Sequence, residues 1–431
     1  MITIYTKNTS NRLTYICNQL FHRILGCDYV ITTNKDEIKG FPIWYSDECE
    51  DNGIHIKPVT LLFEQDIHPQ EIQLGTWENL TTLFPTESGD IPFDLLAASF
   101  FLLSRYEEYT CHKKDIHGRY PVEESIAFQN GFLTEPLVDR WILKLKDLIQ
   151  QKDINQQFKL PSYRFIPTID VDNIYAFRNH GLLQFIYCSV RDFIKGNKTL
   201  LKQRYDVVTR EKKDPFFNLS MVYNLHKKRN IHPVFFFHCG TFGKHDKRSI
   251  YPSYSYLKVR KQIASEDIVG LHPSYHASQH PLFFKTEKAL MLWNKNSEER
   301  PNRFHYLRFC IPETYTLLEK NGFTSDWSLC YSTQVGFRAS TSHPFYFYNL
   351  KEERETTLQL YPTAVMDKTL KSILGLNPES SLEYIMKLKE VVESVHGTFI
   401  TLFHNEHITD VFAWKGWHNM YEVLLSKCKE K

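Results

Sequence analysis

The chain has 431 residues, of which 42% are hydrophobic and 24% charged, with a net charge of +2. That length exceeds one ordinary core and calls for about two or three domains, while the composition is that of a soluble globular protein. A near-neutral charge without a long basic run excludes the electrostatic footprint of a nucleic-acid binder, and nine scattered cysteines with no C-x-x-C pattern exclude a disulfide frame or zinc ribbon.

The first residues lack the charged start and long apolar centre of a secretory signal. The most apolar helical stretch, 95–103, is too short to span a bilayer, so a cytoplasmic protein with no membrane span is expected. Residues 1–157 read as a small α/β domain of unassigned role. Alternating apolar residues predict strands at 2–5 and 28–32, with a helix over 11–25 between them. Asp94 is suited to cap a helix running to about Tyr109, and a Lys-, His- and Gly-containing loop follows at 111–120. A further helix begins near Thr134 with Pro136 in its first turn. The polar stretch 150–157 ends the pattern and sets the boundary. Nothing in this first part gathers ligand-type residues.

From 158 to 431 the pattern changes to short apolar strands alternating with helices, the signature of a parallel α/β sheet or barrel. Strands are predicted at 165–169, 234–237, 268–271, 324–329, 357–361 and 399–403, and helices at 218–228, from 312 to before Gly322, and at 381–395. Asp170, His238, His272 and His404 fall just past strand ends, where barrels of this class hold their active sites.

Asp170 and Asp172 close the first apolar run and, on a strand, point to one face. Two like charges that close ask for a metal or a proton, although a strand-end turn is the plainer alternative. His272 and His276 lie one helical turn apart, with Pro273 between them, and two such imidazoles can converge on one ion. Nineteen histidines give about one H-x-x-x-H by chance, and His276 with His280 forms an overlapping pair. Joined to Asp172, His272 and His276 supply two nitrogens and one oxygen for a zinc-like ion with room for water. Asp170 then serves as a base, and His404 as a general acid.

In this order, Thr168-Ile169-Asp170-x-Asp172, His272-x-x-x-His276 and Leu402-x-His404 resemble the motifs of the polysaccharide deacetylase superfamily, the metal-dependent nodulation-type deacetylases. The resemblance covers about residues 160–431. It implies an incomplete TIM-like (β/α) barrel of roughly seven strands behind the smaller N-terminal α/β domain. It also implies a hydrolase that removes an N-acetyl group from an amino sugar in a glycan or its precursor. Asp170 is then the base, Asp172, His272 and His276 the ligands of a divalent ion, with zinc the expected metal, and His404 the acid. Val171 separates aspartates that many members place side by side, a variant shared with imide and amide hydrolases. Arg303 and Arg308 are both candidates for the arginine that holds the base, with Arg308 assigned here. Asp326-Trp327 resembles the acidic and aromatic motif that orients the acid, with Trp327 also offered to substrate. Arg338, after Gly336-Phe337, meets either a substrate carboxylate or an ordinary ion-pair partner. A non-catalytic glycan-binding or scaffold protein on the same fold, and an amide or cyclic-imide hydrolase, are the alternative readings.

Overall fold

The computed structural model describes residues 1–50, 52–178, 181–240, 245–246 and 254–429. Strands β1 (Ile2–Thr6), β2 (Tyr29–Thr32), β3 (Phe41–Tyr45) and β4 (Ile54–Ile56) form a parallel sheet in the order β2-β1-β3-β4. All five residues of β1 are buried, as the covering of both faces of a parallel sheet requires. The predicted helix over 11–25 is present as an α-helix, Asn11–Cys17, that loosens into a π-helical stretch, Asn18–Ile24. Asp94 does cap the helix Leu95–Leu103, its Oδ1 accepting from the Ala97 N–H at 2.9 Å. That helix ends early because Arg105 takes a left-handed conformation before Tyr106–Thr110. Pro136 sits just before the helix Leu137–Lys152 rather than inside it. A hairpin of β5 (Leu74–Trp77) and β6 (Leu80–Leu83) completes the strands of this part.

The remaining strands are β7 (Arg164–Val171), β8 (Val234–His238), β9 (Val269–His272), β10 (Pro301–Asn302), β11 (Ser325–Asp326), β12 (Phe345–Asn349), β13 (Arg354–Leu360), β14 (Val365–Met366) and β15 (Thr398–His404). They form one nine-stranded sheet in the order β12-β13-β11-β10-β9-β8-β7-β15-β14, parallel throughout except for β12. The sheet curls into a half-barrel of mixed α/β architecture. The strand predicted at 324–329 shrinks to Ser325–Asp326, because Trp327 onward turns away to bond Asn302 and Asp326. Pairing of β7 with β8 begins only at Thr168, which leaves Pro167 flanked by β15 alone and explains a proline inside an otherwise central strand. Gly270 is needed where β9 passes its neighbours, since a Cβ there would stand 2.5 Å from the Phe236 ring.

Strand alternation sorts this half-barrel into layers. Phe165, Ile169, Val171, Phe235 and Phe237 pack outward into the main apolar cluster, while Ile166, Phe236, Trp327 and Ile400 fill the interior as a separate plug. Above the plug, Thr168 and Arg303 form a polar layer, with Arg303 Nη1 donating to Thr168 Oγ1 at 2.6 Å and its guanidinium over the Phe236 ring. Two residues further along the same faces come Asp170, His272 and His404.

The two sequence regions meet through one continuous apolar cluster that runs from Ile2 to Cys428. Buried charge joins them as well: Glu108 receives both Arg338 Nε and Nη2, at 2.9 and 2.6 Å, and Asp139 accepts from Ser342. Arg338 is thus a buried interface residue with its carboxylate supplied from within the chain, contrary to the reading of a substrate loop. No helix among the described residues is long and apolar enough to cross a membrane.

Candidate metal and active site

Asp172 lies just past the end of β7, and His272 ends β9. Asp172 Oδ1 stands 3.1 Å from His272 Nε2, and its Oδ2 stands 3.4 Å from Nε2 of His305. Donors about 2 Å from one tetrahedral ion stand roughly 3.3 Å apart, so these spacings suit a shared cation. The second nitrogen of each ring is engaged elsewhere: His272 Nδ1 donates to the Arg303 carbonyl at 2.6 Å, and His305 Nδ1 donates to Asp246 at 2.8 Å. Both Nε2 lone pairs are thereby turned toward Asp172, the arrangement metal-bound imidazoles usually have. Asp172 Oδ1 and His272 Nε2 are buried with no hydrogen-bond partner among the described residues, a costly state that a cation would relieve. The residues present therefore fit a divalent metal.

Electrostatics agree with the geometry. Burial opposes ionisation of Asp172, but His305 and His272 outweigh it and hold the carboxyl well below its usual range. Burial likewise disfavours a charged His305, yet Asp172 and Asp246 raise it to about 9 in the absence of an ion. Next to it His238, whose Nδ1 faces the His272 carbonyl at 3.1 Å, is driven down to about 3 by burial and by its two imidazole neighbours.

The structure does not bring His276 to this cluster. Residues 275–279 form a turn and the next helix, Pro281–Ala289, starts later, so the one-turn helical relation between His272 and His276 does not exist. Tyr275 points inward and His276 is exposed, its ring facing Tyr275 and His280. Arg308 holds that turn rather than the base: it donates to the carbonyls of Tyr275 and His117, both at 2.8 Å, and lies over the Tyr275 ring. The arginine that meets Asp170, the expected base, is Arg303, whose Nη1 donates to Asp170 Oδ1 at 2.9 Å.

His404 ends β15 beside Asp170, with which it is in register. Its Nδ1 donates to Asp367 Oδ1 at 2.8 Å, and its Nε2 stands 3.8 Å from Asp172. Burial works against the imidazolium, but Asp367 foremost and then Asp172 and Asp170 raise it to about 10. Asp367 also accepts from His407 Nδ1 at 2.9 Å. Asp326 is not the residue that orients His404. It is buried against Asn302 and Ser328, and burial pushes its carboxyl up to about 6. Trp327 is stacked on Tyr361 at 3.9 Å inside the barrel plug, not offered to a substrate.

A cavity of about 240 Å³ opens over Asp170, Asp172, His272, His305 and His404. Its outer wall includes Tyr306 and Lys368, and also His117 and Arg119 from the first part of the chain, where the sequence shows no ligand pattern. Arg119 is fixed there by Asp115 and by the Tyr306 carbonyl. His305, Asp367, His117 and Arg119 are therefore the residues that sequence reasoning missed. Only Asp367 carried a signal, standing after the short apolar run Ala364-Val365-Met366 as Asp170 stands after its own.

Residues 2–154 match the model of a family of unknown function, DUF7033. No curated protein matches the chain. Among solved structures, a "putative polysaccharide deacetylase" from Mycobacterium smegmatis is similar at 13% identity and a TM-score of 0.40, covering 62% of this chain and 84% of its own. A 4-alpha-glucanotransferase from Thermococcus litoralis is similar at 11% identity and 0.34, covering 62% of this chain and 38% of its own. The 7,8-dihydropteroate synthase of Vibrio fischeri ES114 follows at 8% and 0.28, covering 64% and 97%. These likenesses are distant and assign no residue.

Proposed function

We propose that this chain is a metal-dependent hydrolase that removes N-acetyl groups from an amino sugar of a glycan or glycan precursor, on an incomplete TIM-like barrel. The observation that carries the reading is Asp172 between the Nε2 atoms of His272 and His305, with Asp170 and His404 bordering the same cavity. Asp172, His272 and His305 would hold a divalent ion such as zinc, which when bound polarises an amide carbonyl and makes water a stronger nucleophile. Asp170, held by Arg303, accepts the proton of the attacking water. His404, kept protonated by Asp367, delivers a proton from Nε2 to the nitrogen as the C–N bond breaks, so that acetate and an amine leave. The polar wall of His117, Arg119, Ser332 and Thr333 suits sugar hydroxyls.

The test is acetate release from a panel of N-acetylated amino sugars, measured with zinc content on the same preparation. Acetate appearing in step with new amine, and lost on chelation and in His404→Ala, is the expected result. Tight zinc binding with no acetate from any member of the panel overturns the hydrolase reading.

A further inference from the structure

The helix Leu182–Ile194 carries an apolar face that the other described residues leave uncovered. Leu183, Phe193 and Ile194 are 84%, 75% and 78% exposed, and Leu182, Ile186, Tyr187 and Val190 are exposed beside them. At about 100° per residue these positions fall in one stripe roughly 140° wide, while Asp192, Phe185 and Cys188 occupy the opposite, inward side. Scattered apolar residues are normal on a surface, but a continuous stripe along a whole helix marks an interaction site.

The surroundings of the stripe are basic. Residues 181–213 contain eight Lys and Arg against three carboxylates, in a chain whose total net charge is only +2. Two of those carboxylates, Asp192 and Asp206, are buried, whereas Lys195, Lys198, Lys202, Arg210 and Lys213 are exposed. Tyr205 and Val208 of the following helix, Lys198–Val208, add exposed apolar area next to these cations. A second copy of the chain is a poor occupant, because a two-fold contact would set this basic segment against itself.

We propose that the helix Leu182–Ile194 docks this protein on an anionic membrane surface. The apolar stripe enters the boundary between headgroups and acyl chains while the flanking Lys and Arg side chains meet the lipid phosphates. The helix lies on the strand-end side of the barrel: Phe185 and Cys188 line a cavity of about 270 Å³ together with Asn173, next to Asp172, and Glu406, two residues past His404. Docking through this face therefore turns the candidate site toward the bilayer.

The test is co-sedimentation of the full chain with vesicles of phosphatidylcholine alone and with about 30% phosphatidylglycerol, at low and high salt. Binding to the anionic vesicles only, weakened by salt and reduced at least about tenfold in Leu183→Asp/Phe193→Asp, is the expected result. Both substitutions are at exposed positions, and unchanged circular dichroism verifies the fold. Lys195→Glu/Lys198→Glu/Lys202→Glu, which leaves the stripe intact, is expected to lose the preference for anionic lipid. No binding by the parent chain, binding that neutral vesicles match, or a self-association abolished by the aspartate variant each overturn the proposal, the last assigning the stripe to a second copy.

Discussion

Asp367 holds His404 twice, accepting from its ring Nδ1 at 2.8 Å and from its backbone N–H at 2.7 Å. One carboxylate thus fixes the tautomer, the ring plane and the charge of the imidazole that faces the cavity. Asp367→Asn keeps the shape but removes the charge that favours the imidazolium, so turnover is expected to fall roughly 10²-fold or more with bound metal unchanged. Asp326→Asn, in contrast, touches no group bordering the cavity. It is expected to lower thermal stability and leave turnover within about threefold. Steady-state rates and metal content on both variants decide which aspartate orients the acid.

The ligand set is checked by metal titration. His272→Ala and His305→Ala each remove one of three protein donors and are expected to weaken zinc binding by about 100-fold or more. Asp246→Asn, acting through His305 Nδ1, is expected to cost about tenfold. His276→Ala is expected to bind zinc as the parent does, since its ring is exposed and faces away. A large loss in His276→Ala with none in His305→Ala would return the site to the H-x-x-x-H pair.

A chain starting at Lys159 keeps every proposed metal ligand but loses Glu108, the bidentate partner of fully buried Arg338. Leaving a buried guanidinium without its carboxylate costs about 3–5 kcal/mol, and the shared apolar cluster is cut as well. The fragment is expected to be insoluble or to lack a cooperative thermal transition. A soluble, cooperatively folding fragment that binds zinc would instead make residues 1–157 a separable domain.

The periodicity of the sequence made the central strands legible, because Phe165 to Ile169, Val234 to Phe237 and Phe399 to Phe403 are apolar runs long enough to read. Asp170, Asp172, His272 and His404 follow from those strand ends. His305 does not. The strand that precedes it, β10, has only two residues, and Tyr306 and Leu307 behind it both take left-handed backbone that no glycine announces. That double turn is what sends the chain away after His305 has entered the site. Arg303 was distinguishable from Arg308 only by knowing which side of β10 faces Thr168. His117 and Arg119 reach the cavity through contact between distant parts of the chain, and local pattern carries no trace of that.

The last prediction concerns acid stability. His226 is buried in the helix Leu219–Lys227, with Nδ1 donating to the Val222 carbonyl and Nε2 accepting from the Tyr421 hydroxyl, both at 2.8 Å. Burial lowers its pKa to about 4, against about 6.5 in an unfolded chain, so between those values the unfolded state binds more protons than the folded one. Stability from this group is complete above pH 6.5 and is lost as pH falls toward 4, a change of about 3 kcal/mol in all. Glu108 acts in a lower window: burial opposes its ionisation, but Arg338 and Arg105 bring it to about 2, so its contribution fades only below the ordinary carboxylate value of about 4.5. Urea unfolding at pH 7.5, 5.5 and 4.5, with chelator present so that metal loss does not intrude, separates the two. In His226→Gln the midpoint at neutral pH is lower, yet its fall between pH 7.5 and 4.5 is much shallower than in the parent. Parallel curves for parent and variant would show that His226 titrates alike in the folded and unfolded chain, and would overturn the lowered pKa argued from its burial.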